Sequence, residues 1–354
     1  MAQVEHQTYR VKQDGFFGEL FRPLEDKYPG KALICFSGSD GGIELARTLA
    51  GVFQSRGLTA LALAYVMAED LPISFSRVPI DCIEAAAKCL HGMGYEKVGL
   101  RGISKGAELA LTAASLLPNL VNTVVAVAPM NTVCQGFVKD KGVKFLPGSS
   151  WSFHGEEVPY TPYVTEKFPL GSILRKSLRA REMTMYDLYL PLVRQPNPDA
   201  VIRVENITGP ILLISSKMDT MWPSELAAKR IMARLQARDF PYAYRQLSYD
   251  YGSHLFVPMD LPSAAKTRTT RAAPAWTLPP KHWNLSPGGK GALNPNRGRE
   301  RFSAPCLFIF KAQNHADTGK VYACTFHSCT SAGFVPSPKK CFAHRVAHHT
   351  PRGT

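Results

Sequence analysis

One stretch, VGLRGISKGAELALTAASLL at 98–117, constrains this chain more than any other. An apolar run of strand character leads into Gly102-Ile103-Ser104-Lys105-Gly106, and an Ala/Leu-rich run of helical character follows. So abrupt a reversal from strand to helix leaves no room for a Cβ two positions either side of the serine, and glycines stand at both. The turn would expose the Ser104 hydroxyl at the carboxyl edge of a sheet, beside a helix N-terminus whose dipole favours developing negative charge. Many G-x-S-x-G matches are ordinary turns. The strand before and the helix after make this one a candidate nucleophile.

The flanking chain has the matching rhythm. Residues 15–22 and 31–37 read as strands, 43–55 as an amphipathic helix, 58–65 as an apolar strand and 79–91 as a helix; 123–128 (TVVAVA) is a buried strand. After an interruption, the pattern resumes with a strand at 211–215, a helix from Ser224 and a strand at 242–249. Alternating strands and helices, with the strands almost continuously apolar, predict an α/β fold: a mostly parallel sheet covered by helices on both faces. The interruption, 131–205, is rich in proline and aromatics and is expected to be a cap- or lid-like insertion or an irregular surface excursion.

The net charge of +14 is unevenly spread. Residues 266–354 hold 14 Lys/Arg against Glu300 and Asp317, whereas residues 1–265 hold 28 Lys/Arg against 26 Asp/Glu. The body is thus nearly neutral, which argues against a nucleic-acid-binding function. The tail, dense in Pro, Gly and Arg without period 2 or 3.6, reads as disordered, an out-of-frame or fused segment. The expected organisation is a catalytic domain over 1–265 and a tail over 266–354. Cys324, Cys329, His344 and His348 in the tail approximate a zinc-finger spacing, but Pro336 and Pro338 fall where its helix would lie, so a chance cluster is the better account. The N-terminus lacks the apolar core of a signal peptide, and no run is long enough to span a membrane. Cys35, Cys82, Cys89 and Cys134 lie in apolar contexts and suggest reduced, buried thiols and a cytoplasmic location.

A serine nucleophile needs a base, and the base an orienting acid. The body has four histidines, His6, His91, His154 and His254, and only His254 follows a late strand. Asp219, just past the strand ILLIS, is the expected acid, with Asp250 as its competitor. The candidate triad is Ser104, Asp219 and His254. For an oxyanion hole, one amide is expected from Lys105 and the other from Ser39 or Gly38 in the glycine loop FSGSDGG (36–42).

The elbow GISKGAELAL, the segment ALAYVMAEDLP (62–72), the glycine loop, MDTMWPS (218–224) and GSHLFVP (252–258) together resemble the C-terminal catalytic domain shared by acyl-CoA thioesterases and bile acid-CoA:amino acid N-acyltransferase, an α/β-hydrolase similar to dienelactone hydrolase. The likeness covers roughly residues 15–265. It implies a small-molecule acyl thioester substrate, acyl-CoA first, no cofactor and no metal. It also implies thioester hydrolysis rather than amino-acid conjugation, because the conjugating members use cysteine where this chain has Ser104. Transfer to an amino acid, hydrolysis of a carboxylic ester and an inactive hydrolase-like protein are the alternatives. The two-domain relatives carry a β-sandwich domain ahead of this one. With about 14 residues preceding the likeness here, the chain resembles the single-domain bacterial members. The helix that normally closes the fold after His254 is not evident. The basic stretch SILRKSLRAR (172–181) is expected to be a solvated helix face, with the phosphates of coenzyme A as the alternative partner.

Overall fold

The computed structural model describes residues 7–180, 183–250, 254–256 and 286–287. The chain starts with β1 (Gln7–Tyr9), the single-turn α1 (Val11–Asp14), β2 (Phe17–Phe21) and β3 (Lys31–Phe36). Next come α2 (Glu44–Gln54), β4 (Thr59–Ala64), the short β5 (Ser74–Phe75) and β6 (Val78–Pro79), and α3 (Asp81–Gly92). β7 (Lys97–Ile103) turns through Ser104 into α4 (Lys105–Leu116), and β8 (Thr123–Val127) follows. The interruption holds β9 (Gln135–Lys139), β10 (Val143–Ser149), β11 (Trp151–Phe153), β12 (Glu156–Glu157), α5 (Leu170–Ala180) and α6 (Tyr186–Arg194). β13 (Ile211–Ser216), α7 (Ser224–Ala237), β14 (Tyr244–Tyr249) and β15 (Ser286–Pro287) complete the described elements.

The main sheet runs β1-β2-β4-β3-β7-β8-β13-β14-β15. From β4 to β14 every neighbouring pair is parallel; β1, β2 and β15 add antiparallel edges. This is the doubly covered α/β sheet that the apolar strands called for. β4 (TALALA) is buried along its whole length, and β7 from Val98 onward, which fits strands with helices on both faces. In the tail, Ser286 and Pro287 pair with Ser248 and Leu247 of β14. The zinc-finger spacing, the boundary at 265/266 and the closing helix lie outside the described residues, as does the whole of a second unit, 308–354.

The interruption contributes to the body as well as covering it. β9 and β10 form a three-stranded sheet with β5, and β11 and β12 another with β6. Trp151 on β11 has no exposed surface and joins the main core, packing edge-on to Tyr65 with ring centroids 5.7 Å apart. Such aromatic pairs contribute about 1 kcal/mol beyond the area they bury.

Ser104 has φ +56° and ψ −122°, outside the regions side chains prefer, and its amide donates to Val127 O at 2.8 Å. The two glycines make this backbone possible. A Cβ on Gly102 would stand 1.9 Å from Gly106 O, and one on Gly106 would stand 1.9 Å from Ser37 O. Both obstacles are backbone, so neither can move aside cheaply. Gly102→Ala should therefore cost more than about 4 kcal/mol. Thermal unfolding checks this, and a transition near that of the unmodified protein would mean that the turn is not so tightly closed.

Three of the four body cysteines, Cys35, Cys82 and Cys134, are buried free thiols; Cys89 is only half-buried, short of the burial expected for it. Burial pushes the thiols of Cys35 and Cys82 up to about 12, which leaves them protonated and unreactive at neutral pH.

Candidate active site

Ser104 follows β7, Asp219 follows β13 and His254 follows β14, so all three stand beyond the carboxyl ends of parallel strands, where α/β sheets carry their sites. His254 Nε2 lies 2.8 Å from Ser104 Oγ. His254 Nδ1 lies 2.9 and 2.8 Å from the two carboxylate oxygens of Asp219. The carboxylate can only accept, so Nδ1 carries the proton and Nε2 accepts from the Ser104 hydroxyl. Asp219 is buried and further held by the Ser224 hydroxyl at 2.6 Å and the amides of Met221 and Trp222 at 2.9 and 3.4 Å. Trp222 packs edge-on to the His254 ring, with centroids 5.6 Å apart, and donates its indole N–H to Ala128 O at 3.0 Å. Asp250, the competing acid, is ion-paired with Lys217 at 2.6 Å.

Lys105 is the first residue of α4, so its amide has no partner within the helix. Gly38 and Ser39 differ in what their amides meet. The Gly38 amide donates to Asp40 Oδ1 at 2.9 Å. Gly38 has a different reason to be glycine, since a Cβ there would stand 3.1 Å from Ser104 Cβ and 3.1 Å from Ile103 O. The Ser39 amide makes no hydrogen bond among the described residues. Ser39 and Lys105 line one small void with Ser104 and His254.

The Gly38 carbonyl, on the same peptide as the Ser39 amide, accepts from the Gly41 amide at 3.3 Å and from Tyr65, which sequence reasoning missed. The Tyr65 hydroxyl donates to Gly38 O at 2.8 Å and also approaches Ser37 O at 3.2 Å. Gly38 O and the Ser39 N–H belong to one planar trans peptide and point in opposite directions. Holding the carbonyl toward the core therefore turns the N–H away from it. Tyr65 is fully buried, and burial together with the charges of Asp40 and Glu108 raises its phenol well above its ordinary value, so it remains a donor. On the other side of the same loop, Lys139 Nζ contacts the Ser39 carbonyl and lies 3.3 Å from Ser39 Oγ. Burial lowers the Lys139 ammonium and raises the Asp40 carboxyl beside it.

A second buried device fixes Lys105. Its Nζ donates to both oxygens of Glu108, at 2.8 and 2.9 Å, and both residues are buried. Glu108 also accepts from Trp151 Nε1 at 2.9 Å and from the Cys134 amide at 3.1 Å, while Lys105 Nζ stands 5.0 Å from the Trp151 ring centre. Lys105 and Glu108 are one helical turn apart in SKGAEL, and that spacing was the available signal.

Residues 83–277 match the family described as BAAT / Acyl-CoA thioester hydrolase C terminal, a stretch that includes Ser104, Asp219 and His254. The chain belongs to this family. It is 30% identical over 239 residues to acyl-coenzyme A thioesterase 1 of Rattus norvegicus, covering 64% of this chain and 49% of that protein. It is 28% identical over 258 residues to acyl-coenzyme A amino acid N-acyltransferase 2 of the same organism, covering 70% and 54%. The chain thus spans about half the length of the curated relatives it matches. Among solved structures it is similar to a dienelactone hydrolase from Anabaena variabilis, at 18% identity, 74% and 94% coverage and a TM-score of 0.41.

Away from this family site, Asp81, Glu84 and His154 each bring one possible metal-ligand atom within 4.8 Å of the others. Glu84 is already held by Lys88 at 2.7 Å and His154 at 2.9 Å, and these contacts lower its carboxyl. No helix among the described residues is long and apolar enough to cross a membrane.

Tyr65 and Glu108 should fail differently when altered. Tyr65→Phe keeps the ring and removes one hydrogen bond, worth about 1 kcal/mol. It should lower kcat roughly tenfold with little change in KM or unfolding temperature. Glu108→Gln strands a buried ammonium, and should cost about 3–5 kcal/mol of stability. Steady-state kinetics beside thermal unfolding separates the two, and an unchanged kcat in Tyr65→Phe would show that the Ser39 peptide is aimed by something else.

Proposed function

We propose that this chain is a serine hydrolase that cleaves acyl thioesters, acyl-CoA in particular, to the free acid and the thiol. What carries the reading is a hydroxyl 2.8 Å from an imidazole nitrogen whose far side is held by a buried carboxylate, at a helix N-terminus. Family membership supports a thioester as substrate.

In this reading Ser104 Oγ attacks the thioester carbonyl while His254 Nε2 takes its proton. The oxyanion is received by the amides of Lys105 and Ser39. The C–S bond breaks, the proton passes to the departing thiolate and an acyl ester remains on Ser104. Water, activated by the neutral His254, then cleaves this ester. Asp219 holds the tautomer and stabilises the imidazolium formed in each half-reaction.

The void between Ser104 and His254 is about 20 Å³, room for one water. Its remaining wall is aromatic and thioether: Phe137, Met185, Tyr189, Met221 and Trp222. An acyl chain can enter only if these side chains swing away. Two of them, Met185 and Tyr189, come from α6 and its N-cap, and methionine adapts readily to a new shape. This gives the second half of the interruption its part in the reaction.

The choice of serine favours water over an amine as acceptor. An oxygen ester is less reactive toward an amine than the thioester a cysteine would form, so the acyl group waits for activated water. Release of thiol from a series of acyl-CoAs should be readily measurable. Ser104→Ala should lower it by about four orders of magnitude with the fold intact, and a fluorophosphonate should label wild type but not this variant. Mass analysis with added glycine or taurine should find free acid as the main product. A conjugated amide as main product would establish transfer instead, and turnover undiminished in Ser104→Ala would remove the nucleophile.

A further inference from the structure

The helix α5 is inside out. Leu170, Leu174 and Leu178 recur every four residues along one stripe, and they are 62%, 55% and 70% exposed. The residues it turns toward the protein are Ser172, Ile173 and Ser177, all half-buried. A helix on a water-soluble body normally does the reverse. Nor are these leucines scattered. Of nine large apolar side chains exposed among the described residues, five fall between Val164 and Met183. An apolar concentration of this kind marks a surface that another phase or partner covers.

The charge on the helix indicates which. α5 carries Arg175, Lys176 and Arg179 and no acidic residue. Lys176 is paired with Asp187 of α6. Arg175 and Arg179 are exposed and make no ion pair among the described residues. At 100° per residue they lie along one side of the leucine stripe, where their stems can follow it while the guanidinium groups reach outward. A stripe of leucine bordered by arginine on a helix too short to span a bilayer is the pattern of a helix that lies in a membrane interface. Between it and α6 lies a mainly apolar cavity of about 210 Å³, lined by Val164, Pro169, Ile173, Leu188 and Pro191 among others.

We propose that α5 docks on an anionic phospholipid surface, with Leu170, Leu174 and Leu178 in the headgroup–acyl boundary and Arg175 and Arg179 on the lipid phosphates. Since α6 carries Tyr189 into the wall of the void beside Ser104, docking would bring that wall to the lipid surface. The docking itself is independent of the activity proposed above.

The basic tail would be drawn to anionic vesicles by charge alone, so the decisive variant leaves every charge in place. The full chain is spun down with vesicles of phosphatidylcholine alone and of phosphatidylcholine mixed with phosphatidylglycerol. Partitioning should be about tenfold or more higher on the mixed vesicles. Leu174→Gln combined with Leu178→Gln should lower that binding several-fold, and Arg175→Gln combined with Arg179→Gln should lower the preference for the anionic lipid, the remainder being what the tail's charge sustains. Circular dichroism and turnover of a short soluble substrate should be unchanged, since all four side chains are exposed. The proposal is overturned if the leucine variant binds as wild type does, which would assign the binding to the tail. It is equally overturned if neither vesicle binds, including the case in which the stripe instead makes a dimer in solution that the leucine variant loses.

Discussion

A single carboxylate with no contact with water, Glu108, ties the reactive turn to the rest of the molecule. Burying it without partners would be prohibitive, and its donors come from three parts of the chain: Lys105 beside the nucleophile, the Trp151 indole and the Cys134 amide. Trp151 in turn packs against Tyr65, whose hydroxyl holds the Gly38 carbonyl. Lys105 and Ser39, which line the site void with Ser104 and His254, are thereby tied to one continuous buried assembly of ion pair, indole and phenol. The strained backbone of Ser104 persists because Gly102 and Gly106 admit it and this assembly leaves the turn no alternative.

Much of this was legible in residue order. The alternation of apolar strands and helices predicted the parallel sheet. The glycine spacing predicted the elbow, and the positions of Asp219 and His254 past two late strands predicted which residues would meet Ser104. These features are local, or depend on a general property of parallel sheets, namely that strand ends converge on one edge. Tyr65 and Trp151 were not legible because their roles depend on pairings between distant segments; on the page each was one more aromatic residue in an apolar run. Gly38 and Ser39 could not be separated either, because the difference lies in a hydrogen bond from the Gly38 amide to the Asp40 carboxylate, which residue order does not reveal.

The stretch 131–205 shows how one irregular segment can serve two ends. Its first half, through β9 to β12, is anchored by Trp151 in the main core and braces the Ser39 loop through Lys139. Its second half supplies Met185 and Tyr189 to the wall of the site void and presents leucines outward. The sequence signal of prolines and aromatics was the same in both halves, since proline breaks the strand and helix rhythm without telling whether a segment is buried. The stretch 172–181, expected as a solvated helix face, has the period of an amphipathic helix, and the structure of α5 reveals which face meets water.

The central claim is that Ser104 carries the acyl group between two half-reactions. Forming an oxygen ester from a thioester is downhill, so the ester should accumulate in the first turnover. Rapid mixing with acyl-CoA, acid quenching and mass analysis of the peptide containing Ser104 reads this directly. The account predicts a burst of free thiol equal to the amount of protein, with the acyl mass on Ser104. Thiol release without any covalent adduct, or an adduct on another residue such as Cys134, would contradict it.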